Sequence, residues 1–193
     1  SFSDVDASLG TVSVQFSVVP GSGTLSATDA SGVTVLGSGT DTLSLSGTLS
    51  DINAFVTGGA TGYTTAANAT GNVVLDVTID DGGNTGSGGS QTDHTTVTLT
   101  ITAVNDAPVN SVPGTQSVLQ DGTLMFSTGN GNALSIADVD VGGGTMRVTL
   151  TASNGLLTLG SLSGVSFLVG TGTGDGTMVL EGTLSDINNA LAG

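Results

Sequence analysis

Apolar and polar residues alternate over much of this chain, in short segments separated by clusters of Gly, Ser, Asn and Asp. The clearest segment is residues 95–104, where Val97, Leu99 and Ile101 alternate with threonine. A period of two places one set of side chains in a core and the other in water, which is the pattern of a β-strand. The chain is therefore predicted to be mostly strand.

The same criterion predicts a series of short strands along both halves of the chain. The polar clusters between them supply the positive φ angles and local hydrogen bonds of turns. Asn154-Gly155 indicates a two-residue hairpin, and the Gly-rich residues 170–176 indicate a flexible hairpin end. The predicted strands are residues 11–18, 33–36, 42–49, 73–79 and 95–104, then 116–119, 123–127, 134–136, 146–152, 156–159, 166–169 and 177–184.

Two short segments have helical character instead. Ser50 and Ser185 are the predicted N-caps, and each is followed by an aspartate and then by apolar residues. A serine cap satisfies a backbone N–H at the helix start, and an aspartate in the first turn interacts favourably with the helix dipole. One helix of about two turns is therefore expected in each half, crossing between sheets.

An internal repeat relates the two halves of the chain. Phe-Ser-Asp-Val-Asp at residues 2–6 returns as Ile-Ala-Asp-Val-Asp at residues 136–140. Gly-Thr-Leu-Ser-Asp-Ile-Asn at residues 47–53 returns unchanged at residues 182–188. Both matches have nearly the same offset, so the chain is predicted to be a window onto a tandem array.

A stiff acidic joint follows the strand at residues 95–104. Asn105 and Asp106 precede Pro108, which cannot donate to a β-ladder and biases Ala107 away from helix. We expect two domains that meet here. Residues 1–106 form a repeat that lacks its first strands, and residues 107–193 form a second repeat that lacks its last strands.

Composition narrows the classes of partner. The chain has 16 acidic residues against one basic residue, a net charge of −15, and no cysteine. Nucleic acid is excluded because phosphate neutralisation needs clusters of Lys and Arg, and anionic membrane surfaces are disfavoured for the same reason. No segment is apolar enough to insert into a membrane. The charge suits cations, and a metal could compensate for the missing disulfides.

The carboxylates are concentrated at strand ends beside glycine. In an Asp-x-Asp on extended backbone both side chains point to the same side, so two carboxylates can converge on one ion. Oxygen ligands of this kind suit Ca²⁺, whereas zinc and copper prefer Cys and His. The alternative interpretation is a set of solvated turns. The candidate ligands are Asp4, Asp6, Asp80, Asp81, Asn105, Asp106, Asp138 and Asp140.

These motifs resemble a known family. Ala-Val-Asn-Asp-Ala-Pro-Val at residues 103–109, the Asp-Val-Asp turn, the repeated seven-residue segment and Ile-Asp-Asp-Gly-Gly-Asn at residues 79–84 resemble bacterial cadherin-like or immunoglobulin-like tandem repeats of giant secreted, RTX-type adhesins. The resemblance covers essentially the whole chain. Related repeats often carry Glu-Asp near the start of the unit, where this chain has Gln120-Asp121, so Asp121 alone would supply a charge there.

The resemblance implies an all-β fold of tandem Ig-like or cadherin-like Greek-key β-sandwiches with one short helix per repeat. It implies a structural extender on the bacterial cell surface, which holds a separate ligand-binding tip away from the cell, as in biofilm adhesion. Calcium would rigidify the junctions between neighbouring repeats. By position, the ligand motifs of the family fall on Asn105 and Asp106, on both Asp-x-Asp turns and on Asp81.

Two alternative functions are compatible with the sequence. The chain could be a subunit of a surface sheath, S-layer or filament, in which copies assemble by strand addition. It could also bind carbohydrate, although Tyr63 and five phenylalanines are the only aromatic residues available. Catalysis is not expected, because no carboxylate lies in an apolar context that would raise its pKa for acid catalysis and no nucleophile motif is present.

Overall fold

The chain folds into two compact units in the computed structural model, which describes residues 1–5, 7, 9–84 and 87–193. Unit 1 is Ser1–Val104 and unit 2 is Asn105–Gly193. Both are built from antiparallel strands with one short helix each, so the all-β class is confirmed. That the units are repeats with missing strands remains a prediction, as does a Greek-key arrangement.

Unit 1 has seven strands and one helix among its described residues. The elements are β1 (Thr11–Val18), β2 (Gly23–Ala27), β3 (Val33–Leu36), β4 (Thr42–Thr48), α1 (Leu49–Thr57), β5 (Thr61–Thr65), β6 (Gly71–Asp80) and β7 (Thr92–Ile101).

The main sheet of unit 1 has the strand order β3-β4-β1-β6-β7, and β2 pairs with β5 in a separate two-stranded sheet. Strand β1 lies in the middle, and its alternate residues Val12, Val14 and Phe16 are buried. Ile52 of α1 is buried in the same core. The buried residues of β1 are therefore the apolar ones that the alternating sequence pattern assigns to the core.

Unit 2 has shorter elements. They are β8 (Val109–Ser111), β9 (Ser135–Ala137), β10 (Thr145–Thr151), β11 (Leu157–Thr158), β12 (Val165–Val169), β13 (Thr173–Asp175), β14 (Thr177–Thr183) and α2 (Leu184–Leu191).

Three small sheets make up unit 2, with the pairings β10-β14-β12, β11-β13 and β8-β9. Its core is built on Met178 and Leu180 of β14, Ile187 and Leu191 of α2, and Ile136 of β9. Every strand pair is antiparallel.

The two helices begin earlier than predicted. The N-caps are Thr48 and Thr183, not Ser50 and Ser185. The Thr48 hydroxyl accepts the N–H of Asp51 at 3.2 Å and donates to the Asp51 carboxylate at 2.7 Å. This reciprocal arrangement satisfies an orphan N–H of the first turn, which a cap two residues later would leave unpaired.

Two predicted strands, residues 116–119 and 123–127, are not strands in the structure. Both segments are instead bonded to Asn132, whose side chain is buried. Its carbonyl accepts the N–H of Ser127 at 2.9 Å, and its amide donates to the Met125 carbonyl at 3.1 Å and to Gln116 Oε1 at 3.2 Å. A side chain that satisfies the backbone in this way competes with a β-ladder.

The predicted hairpin at Asn154-Gly155 is also wrong. The strands on either side of it do not pair with each other, because β10 pairs with β14 and β11 pairs with β13. The Gly-rich residues 170–176, predicted to be a flexible hairpin end, contain β13 instead. There the Asp175 carboxylate accepts the N–H groups of Thr171 and Gly172 at 2.8 and 2.7 Å.

Strand β7 differs from its prediction in burial. It lies at the edge of the unit 1 sheet, and Val97 is 48% exposed although its apolar face was predicted to be buried. Leu99 and Ile101 do pack against the core from partly buried positions. In the described residues, neither helix is long and apolar enough to cross a membrane.

Candidate functional site

The acidic joint and one Asp-x-Asp turn meet in unit 2 because β8 and β9 pair. Val109 of β8 lies opposite Ala137 of β9. In an antiparallel ladder, each step back from Val109 corresponds to one step forward from Ala137. Three steps place Asp106 opposite Asp140, and the Asp106 N–H donates to Asp140 Oδ2 at 2.8 Å.

Asp138 closes the turn beside this contact. Its Oδ1 accepts the N–H groups of Asp140 and Val141 at 3.2 and 3.1 Å. The hydrogen bond from the Asp106 N–H, with a smaller contribution from the Asp138 carboxyl, lowers the pKa of Asp140 below its usual value. The side chains of Asp138 and Asp140 therefore meet at the same turn.

Asn188 of α2 holds the strand that precedes this turn. Its Oδ1 accepts the N–H of Ile136 and its Nδ2 donates to the carbonyl of Ile136, both at 2.9 Å. Ile136 is buried and lies two residues before Asp138. The helix thus fixes the backbone from which the Asp-x-Asp turn starts.

Unit 1 contains the same pair of hydrogen bonds, made by Asn53, and we call this arrangement the asparagine clamp. The Asn53 side chain accepts the N–H of Phe2 at 2.6 Å and donates to the carbonyl of Phe2 at 2.8 Å. Two residues on, Asp4 Oδ1 accepts the N–H of Ala7 at 3.2 Å. Asp6, the second predicted ligand of this turn, lies outside the described residues.

Asp80 and Asp81 do not join the cluster at the joint. They are in unit 1, where they close the loop between β6 and β7. Asp80 accepts the Ser90 hydroxyl and the N–H of Gly82, and these bonds lower the pKa of Asp80. Asp81 accepts the N–H groups of Gly83 and Gln91, both at 2.8 Å. Loop closure accounts for both carboxylates.

Asp121 occupies a turn of its own. It has a positive φ of 58°, and the N–H of Gly122 donates to the Leu119 carbonyl at 2.9 Å. Aspartate is among the few residues that tolerate this conformation. A turn therefore explains Asp121 without a metal. Asn105 lies at the joint and its side chain donates to the Asp106 carbonyl at 3.0 Å.

Of the nine predicted ligands, the structure brings Asp106, Asp138 and Asp140 into contact, with Asn105 adjacent in the chain. Among the residues that the structure describes, no group of three or more His, Cys, Asp or Glu side chains forms a metal site. Asp106 contributes its backbone N–H to the contact with Asp140. The donor set fits Ca²⁺ in kind, since it is all oxygen, but two carboxylates are fewer than the 6–8 ligands that Ca²⁺ takes.

The role of Asn53 and Asn188 was not predicted from the sequence. Both asparagines lie in the repeated seven-residue segment, but their partners Phe2 and Ile136 are known only from the structure.

Comparisons with known proteins identify no relative. No protein-family model matches the chain, and no curated protein and no solved structure is significantly similar to it.

Proposed function

We propose that the chain is a structural extender repeat of a large extracellular bacterial adhesin, and that calcium bound at the joint stiffens it. The observation that supports this most directly is the hydrogen bond between the joint and the Asp-x-Asp turn, which puts Asp106 against Asp140 with Asp138 beside it. A cation held here would tie the beginning of unit 2 to its own turn.

The net charge supports the same function. A chain at −15 with one basic residue repels itself, and two adjacent surface carboxylates concentrate that repulsion. A divalent cation would neutralise the pair and draw further oxygen ligands from backbone carbonyls, the Asn105 carboxamide and water. Extracellular calcium sites typically have dissociation constants of about 0.1–1 mM, so such a joint would be rigid outside the cell and loose inside it.

The expected stabilisation is modest but measurable. One ion at ten times its dissociation constant stabilises the bound state by about 1.4 kcal/mol. For a unit of this size, 1 kcal/mol shifts the melting midpoint by roughly 4–8 °C.

Thermal melting followed by circular dichroism tests the proposal. We expect millimolar Ca²⁺ to raise the melting midpoint above that in EDTA, and Mg²⁺ at equal concentration to raise it less. The double variant Asp138→Asn with Asp140→Asn should lose the calcium-dependent increment, because it retains the shape of the turn but lacks both charges.

A matched control removes two charges elsewhere. The double variant Asp29→Asn with Asp93→Asn changes two exposed carboxylates of unit 1 and should keep the calcium response. If the melts in Ca²⁺ and EDTA superimpose, or if both double variants respond alike, the acidic residues are turn residues and the calcium-stiffened extender is wrong.

The sheath or filament subunit remains the second candidate. The observation that favours it is the edge position of β7, a ten-residue strand that pairs with β6. A long exposed edge is a template for strand addition. Carbohydrate binding has less support, because Tyr63 is partly buried and its hydroxyl donates to the Ser22 carbonyl at 2.6 Å.

A further inference from the structure

The loop between β10 and β11 contains Asn154-Gly155, the dipeptide that does not form the predicted hairpin. The loop is anchored at both ends, because the Ala152 N–H donates to the Gly176 carbonyl at 2.9 Å and β11 pairs with β13. Asn154 and Gly155 lie between these anchors, and both are exposed. Their backbone therefore lies outside the strands of unit 2.

The side chain of Asn154 is free to turn towards the peptide that follows it. Within the part of the chain that the structure describes, neither the Asn154 carboxamide nor the Gly155 N–H has a hydrogen-bond partner. A Cβ placed on Gly155 would meet no described atom within 4 Å. Since no protein contact fixes its rotamer, the carboxamide can reach the Gly155 nitrogen.

A second Asn-Gly, at residues 130–131, is exposed as well but is held at both groups. Asn130 Nδ2 donates to the Met125 carbonyl at 3.1 Å, and the Gly131 N–H donates to the Thr128 carbonyl at 3.1 Å. Both groups must leave these acceptors before they can react with each other. The two dipeptides therefore share their sequence and their exposure but differ in hydrogen bonding.

Unit 1 has the counterpart of the β10–β11 loop. Strands β1 and β10 correspond, because each begins with a threonine that lies opposite the threonine cap of the next helix. The offset between them places Pro20-Gly21 where unit 2 has Asn154-Gly155. Pro20 and Gly21 are exposed although β1 is paired on both sides, so exposure is a property of the loop itself.

An Asn-Gly dipeptide can react with itself and with water. The glycine nitrogen attacks the asparagine Cγ, a C–N bond forms as that nitrogen loses its proton, and the side-chain nitrogen leaves as ammonia. Water then opens the resulting succinimide at one carbonyl to give aspartate, or at the other to give isoaspartate. Glycine favours the attack because it has no Cβ beside the nucleophile.

We propose that Asn154 is a site of spontaneous deamidation in the native chain, and that Asn130 is protected from it. The unpartnered groups at residues 154–155 select the first site, and the two hydrogen bonds at residues 130–131 protect the second. Deamidation adds one negative charge to a chain at −15, and isoaspartate lengthens the anchored loop by one methylene. The corresponding loop of unit 1 is inert, because Pro20 has no carboxamide.

Mass spectrometry of the full chain during incubation in mildly alkaline buffer tests this proposal. Proteolysis after Arg147, the single basic residue, puts the two sites in different fragments, and fragment ions assign each mass gain. We expect Asn154 to convert about tenfold or more faster than Asn130, since two hydrogen bonds must break at Asn130 before the attack. Unfolding in urea should bring the two rates close together, because both dipeptides are then unbonded.

Gly155→Ala is the variant that leaves the loop in place. The φ of Gly155 is not positive and the space around it is open, so alanine fits without strain. It should slow the conversion of Asn154 several-fold, because a Cβ hinders the attacking nitrogen. No mass gain at Asn154, equal rates at both sites in the native chain, a rate ratio that survives unfolding, or an unchanged rate in Gly155→Ala would each overturn the proposal.

Discussion

The two copies of Gly-Thr-Leu-Ser-Asp-Ile-Asn, residues 47–53 and 182–188, make the same contacts in different surroundings. In each, the glycine lies so close to a backbone carbonyl that a Cβ would crowd it, the threonine caps a helix, and the asparagine clamps the backbone before an Asp-x-Asp turn. These contacts are set by the segment and the strand it holds.

What differs is the strand next to that segment. Strand β1 is covered on both sides, and its apolar residues form the centre of a large core. Strand β10 is paired on one side and its apolar residues are partly exposed. The repeated motif therefore fixes local geometry, whereas burial depends on elements that lie elsewhere in the chain.

The largest expected effect is the loss of unfolding free energy when one core leucine of each unit is replaced by alanine. Leu45 and Leu180 are equivalent, both are fully buried, and they lie opposite Val14 and Val148. Leu to Ala in a core costs about 2–5 kcal/mol, depending on how far the site can collapse. We expect Leu45→Ala to lie near the top of this range and Leu180→Ala near the bottom. Urea unfolding measures both.

Equal losses of unfolding free energy in the two variants would show that the cores around Leu45 and Leu180 are equally well covered. A control for general effects is Leu36→Ala, since Leu36 is 67% exposed and its truncation should change the unfolding free energy little.

Removing the asparagine clamp should give the next largest loss of unfolding free energy. Asn188→Ala leaves the N–H and carbonyl of the buried Ile136 without their partners, which should cost about 1–3 kcal/mol. It should also weaken any calcium response, because the turn that carries Asp138 loses its anchor. Asn53→Ala should cost a similar amount but leave the calcium response intact.

Asn189→Ala is the matched control, because Asn189 is an exposed neighbour on the same helix. Calcium titration with the melting midpoint as readout separates the three variants. A calcium response that Asn188→Ala and Asn189→Ala change equally would show that the clamp does not position the turn.

The smallest expected effect is the pH dependence of Asp140. Because its folded pKa lies below the usual 3.8 of a free aspartate, its contribution to stability is present above pH 3.8 and is lost as the pH falls through the folded pKa. Melting midpoints between about pH 5 and pH 2 should therefore fall less steeply in Asp140→Asn than in the native chain. Identical slopes would show that the hydrogen bond from Asp106 does not persist in solution.

Strong alternation predicted several strands well, and the bounds of β1 and β3 agree with the sequence pattern. The pattern did not reveal β2 and β5, which are short, rich in Gly and Thr, and pair over a long separation. It placed strands at residues 116–119 and 123–127 because alternation does not show that the nearby Asn132 side chain bonds to the backbone of Met125 and Ser127.

The candidate site was predictable to a similar degree. Asp106, Asp138 and Asp140 could be selected from their motifs, and their contact follows from the short pairing of β8 with β9. Asp80 and Asp81 look the same in sequence, but their carboxylates close their own loop. The motifs select the acidic turns, but the pairing of β8 with β9 decides which of them meet.

We propose that calcium at the joint holds the beginning of unit 2 against its own Asp-x-Asp turn, and the distance between two spin labels within unit 2 measures this most directly. The sequence has no cysteine, so labels can be attached at Ala107→Cys in the joint and at Ser163→Cys, both exposed. We predict a broad distance distribution in EDTA that narrows in millimolar Ca²⁺, but not when Asp138→Asn and Asp140→Asn are added. Superimposable distributions in Ca²⁺ and EDTA would contradict calcium binding at the joint.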